Sequence, residues 1–301
     1  MDNTIKTGFI TLIGRPNAGK STLLNNILEQ KIAIMSNKPQ TTRNIINGIY
    51  TDENSQIVFI DTPGIHKPKH KLGDYMMKLA NGALSESEII YLIISADEKF
   101  GSGDQRIINI VKKLNVPTFL ILNKIDLIKK DDIFKIIDFY KKLYDFKEII
   151  PISALKSINV NKLINLTKKY LPESVKMYPD DIITDSPEYF LISEFIREKV
   201  LLLTSEEIPH SVSVVIDKIE KEDNYKKHIM ATIVVERKSQ KGIIIGKQGN
   251  LIKKIGKLAR KDIEELLQEK IFLELWVKVI KEWRNSSYNI RELGYRDDIF
   301  S

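Results

Sequence analysis

The residues Gly14-Arg15-Pro16-Asn17-Ala18-Gly19-Lys20-Ser21 have the spacing of a phosphate-binding loop, G-x-x-x-x-G-K-[ST]. Its two glycines let the backbone lie against an anion with no Cβ in the way. The loop N–H groups and the following helix N-terminus present partial positive charge to phosphates. Lys20 adds a full charge at the β- and γ-phosphates, Ser21 offers a hydroxyl to Mg2+, and Thr22 follows in the helix start. A second motif, Asp61-Thr62-Pro63-Gly64-Ile65, ends another apolar run. A carboxylate there can hold Mg2+ through water, and the Gly64 N–H can meet a γ-phosphate. Between the two lies the polar segment Lys38-Pro39-Gln40-Thr41-Thr42-Arg43, with two hydroxyls. Thr42, in preference to Thr41, is expected to complete the Mg2+ shell when a γ-phosphate is present, making the segment a switch. The catalytic set expected is Lys20, Thr42 and Gly64; the metal set is Ser21, Thr42 and Asp61.

The base is read further along. In Asn123-Lys124-Ile125-Asp126, the aspartate carboxylate can accept from both N1–H and the 2-amino group of guanine, a donor pair that adenine lacks. Asn123 and the Lys124 stem support the loop, and a backbone N–H of Ser153-Ala154-Leu155 is expected near the guanine O6. Together these point to GTP or GDP with Mg2+. The rival is an ATP-dependent kinase built on the same loop, from which Asp126 discriminates.

These motifs need elements to hold them. Apolar runs at 9–13, 45–50, 57–60, 89–95, 118–122 and 149–152 alternate with helical patterns at 21–30, 72–85, 105–113, 132–144 and 159–170. Several runs are continuously apolar, as strands covered on both faces are. The reading is an α/β, doubly wound, mostly parallel sheet, with every motif just after a strand, where such sheets bind ligands. Residues 172–187 contain Pro172, Pro179, Asp180, Asp181 and Asp185 and read as a linker. The expected domains are therefore 1–171 and 188–301.

The chain has 301 residues, a net charge of +7, 43% hydrophobic and 29% charged residues, and no cysteine. That excludes a disulfide framework or zinc–thiolate site. No apolar run is long enough to cross a bilayer. The polar start Met1-Asp2-Asn3-Thr4 lacks a signal-peptide core, so a cytoplasmic monomer is expected. From Lys176 onward there are 22 basic and 22 acidic residues, yet 237–261 holds nine basic residues and no acidic one. One basic stripe on a neutral domain marks a binding face for a polyanion.

The second half reads α-β-β-α-α-β: a helix at 191–204, strands at 211–219 and 228–235 around a charged turn at 221–227, helices at 239–245 and 251–268, and a strand at 273–280. Gly246-Lys247-Gln248-Gly249 sits between the last two helices. A Gly-x-x-Gly loop under a basic helix is the α+β KH arrangement for clamping single-stranded nucleic acid. Gly242, Ile245, Gly246, Lys247, Gln248, Gly249, Lys253, Lys254 and Lys257 are the expected RNA contacts, with Ile243, Ile244, Ile245, Ile252 and Ile255 as an apolar floor. Trp276 and Trp283 are read as packing residues rather than stacking platforms. The rival for this half is a basic face docking acidic lipid or protein.

Phosphate loop, threonine switch, D-x-x-G, N-K-x-D and S-A-L in this order resemble the translation-factor-like class of P-loop GTPases. The two halves together resemble the bacterial Era GTPase family. Beyond the motifs above, the match is carried by His66, by 195–199 (Phe-Ile-Arg-Glu-Lys) running to 207–210 (Glu-Ile-Pro-His), and by Leu293-Gly294-Tyr295. The resemblance implies a GTPase that binds the 3′ end of small-subunit ribosomal RNA and assists assembly of the small ribosomal subunit. It also implies loose association with the inner face of the membrane. One departure from the Ras-type pattern stands out: Ile65 occupies the position of a water-orienting glutamine, so slow intrinsic hydrolysis is expected.

Overall fold

The computed structural model describes residues 4–38, 40–65, 68–221 and 227–295. Pro39, His66, the start 1–3 and most of the expected turn at 221–227 lie outside the described residues. The chain divides into two compact units. The first comprises Met1–Ala33, Thr42–Lys67 and Met76–Asp185; the second comprises Ile34–Thr41, Pro68–Tyr75 and Ser186–Ser301.

The first unit is built on seven strands: β1 (Ile5–Gly14), β2 (Ile46–Asp52), β3 (Ser55–Asp61), β4 (Ile89–Ser95), β5 (Thr118–Asn123), β6 (Glu148–Pro151) and β7 (Glu173–Ser174). The order across the sheet is β2-β3-β1-β4-β5-β6, with β7 beside β1. β1, β3, β4, β5 and β6 run parallel; β2 is antiparallel to β3, and β7 to β1. Every residue of β3, β4 and β5 is buried, as the apolar runs at their centres require, the polar residues at their ends included. The helices α1 (Lys20–Ile27), α2 (Lys71–Ser85), α3 (Ser102–Val111), α4 (Lys130–Lys141) and α5 (Val160–Lys168) follow β1, β3, β4, β5 and β6 in turn. One core joins Ala80 and Leu84 of α2 and Ile107, Ile108 and Val111 of α3 to Ile90, Leu92 and Leu120 of the sheet.

The segment expected to be a linker is instead strapped to this sheet as far as residue 185. Thr7 N–H donates to Pro172 O at 3.1 Å and Ile49 N–H to Ile183 O at 2.8 Å. The fully buried Gln56 accepts from the N–H groups of Met177 and Tyr178 and donates to Tyr178 O, at 2.7, 2.9 and 2.8 Å. Prolines and aspartates disguise it as a tether because its bonds are made by backbone groups, which composition does not report.

In the second unit, α6 (Glu188–Leu203) and α7 (Ile208–Ser211) precede β8 (Ser213–Lys221) and β9 (Lys227–Val235); α8 (Lys238–Ile245), α9 (Asn250–Leu267), β10 (Ile271–Val279) and α10 (Ser287–Glu292) follow. The sheet order is β10-β9-β8, with β9 parallel to β10 and antiparallel to β8. Its core gathers Ile192, Phe195, Ile196 and Val200 of α6, Ile244 of α8 and Ile255, Ala259 and Ile263 of α9 over the inner face of the sheet. Ile34 belongs to the same core. Arg197, fully buried, donates to the Thr41 carbonyl and pairs with Glu194 at 2.5 Å, while Glu198 accepts from the Met35 N–H at 2.8 Å. Trp283 is buried as expected, but Trp276 is not: it stands 60% exposed on β10. Among the described residues no helix is long and apolar enough to cross a membrane.

Candidate functional site

In the first unit the phosphate loop leaves β1 at Gly14 and enters α1 at Lys20. Gly19 has φ of 97°, and a Cβ there would fall 2.2 Å from the Asn123 amide nitrogen, so both backbone conformation and space demand glycine. Lys20 is buried and its ammonium reaches the Arg15 carbonyl at 3.5 Å. Burial pushes this ammonium down from the ordinary lysine range, opposed by the charge of Asp61. The Asp61-to-Gly64 turn closes against the loop: a Cβ on Gly64 would lie 3.2 Å from Pro16, and Thr62 donates to the Leu12 carbonyl at 2.7 Å.

The three expected metal-site residues converge. Ser21 Oγ donates to Asp61 Oδ2 at 2.7 Å and lies 3.1 Å from Thr42 Oγ1, which is itself 3.4 Å from Asp61 Oδ2. Thr41 points elsewhere, donating to the Lys38 carbonyl at 2.7 Å. Asp61 Oδ1 is buried with no protein partner among the described residues. Burial pushes the Asp61 carboxyl up, opposed by Lys20, Ser21 and Thr42. A buried carboxylate oxygen left over beside two hydroxyls is the hard oxygen set that suits Mg2+, and a dication there supplies the charge that keeps the carboxylate ionised. The residues present therefore fit Mg2+, held by the Ser21 and Thr42 hydroxyls with Asp61 behind them.

The base-reading residues form one tied assembly. Asn123 donates to the Ala18 carbonyl and accepts from the Ala154 N–H, both at 2.9 Å, joining the phosphate loop to the S-A-L turn. Lys124 takes a left-handed φ of 64° and starts the 3-10 turn Ile125–Leu127, which leaves Asp126 exposed. Ser153 Oγ accepts from the Lys156 N–H at 3.2 Å, and Leu155 is 73% exposed. Two of the expected nucleotide residues act differently from their neighbours. The Arg15 guanidinium faces away from the loop, to Glu98 at 3.0 Å and to Asp104 and the Lys99 carbonyl at 3.2 Å, so only its backbone serves the phosphate loop. Ile65 is buried in the core and orients no water. Asn17 is exposed and Thr22 half-buried at the loop's mouth.

The second unit carries the other site. Gln240 accepts from the N–H groups of Glu236 and Arg237 at 2.9 and 3.0 Å, which starts α8. The loop after α8 turns through φ of 74° at Gly246, 54° at Gln248 and 75° at Gly249, and α9 begins at once. Lys247 and Gln248 at its tip are exposed, as is Gly242. A groove of about 380 Å³ runs between α9 and β10, lined by Ile252, Lys253, Gly256, Lys257 and Arg260 of the helix and by Phe272, Leu273, Glu274 and Leu275 of the strand. Lys254 is exposed outside this lining. Ile244 and Ile255 are core residues and not floor, whereas Ile243 is exposed and Ile245 and Ile252 half-buried. Sequence reasoning missed Arg260 and the strand residues. The signal for Arg260 was its helical register with Lys253 and Lys257. Nothing local marks β10 as an edge strand.

A mononucleotide-type α/β unit with these five motifs, followed by a KH unit, defines a class of RNA-binding P-loop GTPase. A family model described as "50S ribosome-binding GTPase" matches residues 9–124, and one described as "KH domain" matches 207–284. The crystal structure of an Aquifex aeolicus Era variant bound to GDP and AlF4− is 41% identical, covering 97% of this chain and 99% of that one, with a TM-score of 0.94. A structure of Era with MgGDPNP and nucleotides 1506–1542 of 16S ribosomal RNA is 42% identical over the same shares, also at 0.94. The chain belongs to the Era family of GTPases.

Proposed function

We propose that this protein is a switch that binds and hydrolyses GTP with Mg2+, binds the 3′ end of small-subunit ribosomal RNA, and assists assembly of the small ribosomal subunit. One observation carries the reading: a single chain holds a guanine-selective phosphate site and a basic KH groove, and aligns over 97% of its length with Era bound to both kinds of ligand. Lys20 and the loop N–H groups hold the β- and γ-phosphates. Ser21, Thr42 and Asp61 hold the cation, which when bound neutralises charge developing on the phosphates. Asp126 selects guanine. Because Ile65 is buried, no side chain at that position aligns water, and basal turnover is slow, on the order of 10⁻³ to 10⁻² s⁻¹.

The test is a titration with single-stranded RNA copied from the 3′ end of the host's small-subunit ribosomal RNA, beside a scrambled RNA. It is run once with GDP and once with a non-hydrolysable GTP analogue. Sequence-selective binding that tightens with the GTP form is expected. Equal, weak, salt-sensitive binding of both RNAs overturns the RNA half of the reading and leaves the GTPase half standing.

A further inference from the structure

Two tryptophans lie seven residues apart and are treated oppositely by the fold. Trp283 is fully buried, stacked on Tyr295 at 5.9 Å, with its indole N–H donating to the Ser211 carbonyl at 2.8 Å. Trp276 is 60% exposed. Leaving most of an indole in water forgoes a large apolar burial, so its place on the fold needs a reason.

Trp276 sits on β10, the strand whose outer edge no other strand covers among the described residues. Side chains alternate along a strand, so Phe272, Glu274 and Trp276 share the face turned away from the helices. Phe272 and Glu274 both line the groove, together with Leu273 and Leu275 of the opposite face. The groove therefore wraps around the free edge of β10, and Trp276 is the next residue along that outer face. Phe272 is itself 53% exposed and packs edge-on against His228 at 4.9 Å. Charges on this face are mixed: Lys278 is exposed, Glu274 lies 3.3 Å from His228, and Asp217 accepts from Thr232, the cross-strand neighbour of Trp276. The cations that suit phosphates, Lys253, Lys257 and Arg260, are on the α9 wall. An aromatic face without a cation cluster suits a base better than a backbone.

We propose that Trp276 is a base-stacking residue. A KH groove holds four nucleotides. A nucleotide flanking those four turns around the β10 edge and lays its base on the indole. This extends the RNA footprint onto a face outside the Gly-x-x-Gly clamp, and it rests on the RNA reading above.

The test uses the full chain and its own fluorescence. The protein is titrated with a ten-nucleotide RNA from the 3′ end of the small-subunit ribosomal RNA and with a tetranucleotide from within it. Binding is followed separately by anisotropy of labelled RNA. The longer RNA is expected to quench the exposed tryptophan emission, and W276F to abolish the quench while still binding. W276A is expected to bind the longer RNA about tenfold more weakly and the tetranucleotide as wild type does. Tight binding of the longer RNA with unchanged emission overturns the proposal, as does W276A binding it as tightly as wild type. Failure of wild type to bind either RNA overturns the RNA reading itself and takes the stacking proposal with it.

Discussion

The Ser21 and Thr42 hydroxyls meet Asp61 within 3.4 Å, and the adjacent Thr41 and Thr42 divide their labour. Thr42 faces the cation position, while the Thr41 hydroxyl is spent on the Lys38 carbonyl. Thr42→Ala is therefore expected to slow single-turnover GTP hydrolysis by about tenfold or more while leaving GDP affinity near wild type. Thr41→Ala should leave hydrolysis nearly unchanged, and the two variants measured side by side check the assignment. At the base, Asp126 is exposed at the head of a 3-10 turn, with its carboxylate unencumbered by any salt bridge among the described residues. Asp126→Asn should weaken GTP about a hundredfold and admit xanthosine nucleotides, because the two guanine N–H donors lose their common acceptor. Competition binding with both nucleotides reads this directly; an unchanged base preference would end the guanine assignment.

Elements were legible in proportion to how local their causes are. The strand–loop–helix around Gly14 to Ser21 follows from glycine spacing and an apolar run, and the structure puts it where expected. Asn123 was legible as a loop support, but its two hydrogen bonds, to the Ala18 carbonyl and from the Ala154 N–H, depend on segments far apart in sequence. Likewise Ile243 and Ile244 are adjacent and equally apolar, yet one is exposed and one is core, because only the packing of α8 on the sheet tells them apart. The Gly-x-x-Gly loop shows the same split between its glycines. A Cβ on Gly246 would meet the Leu251 nitrogen at 2.9 Å with φ already at 74°, so Gly246→Ala should cost about 2 kcal/mol, read from the denaturant midpoint. At Gly249 the nearest atom is 3.9 Å away, and aspartate tolerates a left-handed φ. Gly249→Asp should fold and yet lose RNA binding. In the β2–β3 hairpin, burial alone would raise the Asp52 carboxyl. Lys168, the Ser55 and Tyr50 hydroxyls and the Asn54 N–H all donate to it and hold it down at about 2. A depressed carboxyl adds stability above its unfolded pKa and loses it as pH falls through the folded one. Solvent screens the partly exposed Asp52–Lys168 pair, so Asp52→Asn should cost about 1 kcal/mol at pH 7, and the gap to wild type should close between about pH 4 and pH 2 in urea titrations.

At the scale of the whole molecule, the strap from Pro172 to Asp185 matters more than its composition suggests. It supplies the Ile49 N–H with an acceptor, the Asn47 amide with the Asp185 carboxylate at 3.0 Å, and the buried Gln56 amide with both donors to its oxygen. A chain stopped after residue 171 should be less stable than one stopped after residue 185 by about 1–3 kcal/mol, because the buried Gln56 amide oxygen loses both its donors while its nitrogen keeps only Thr51. Thermal melts of the two fragments, each bound to GDP, check it. The same strap sets a timetable. On a translating ribosome the sheet of the GTPase unit emerges first, but Gln56 waits, half-satisfied, for more than a hundred further residues before its partners are synthesised. The sheet that carries the nucleotide site therefore completes its bonding only as the opening of α6 is being made, on the threshold of the domain that reads RNA.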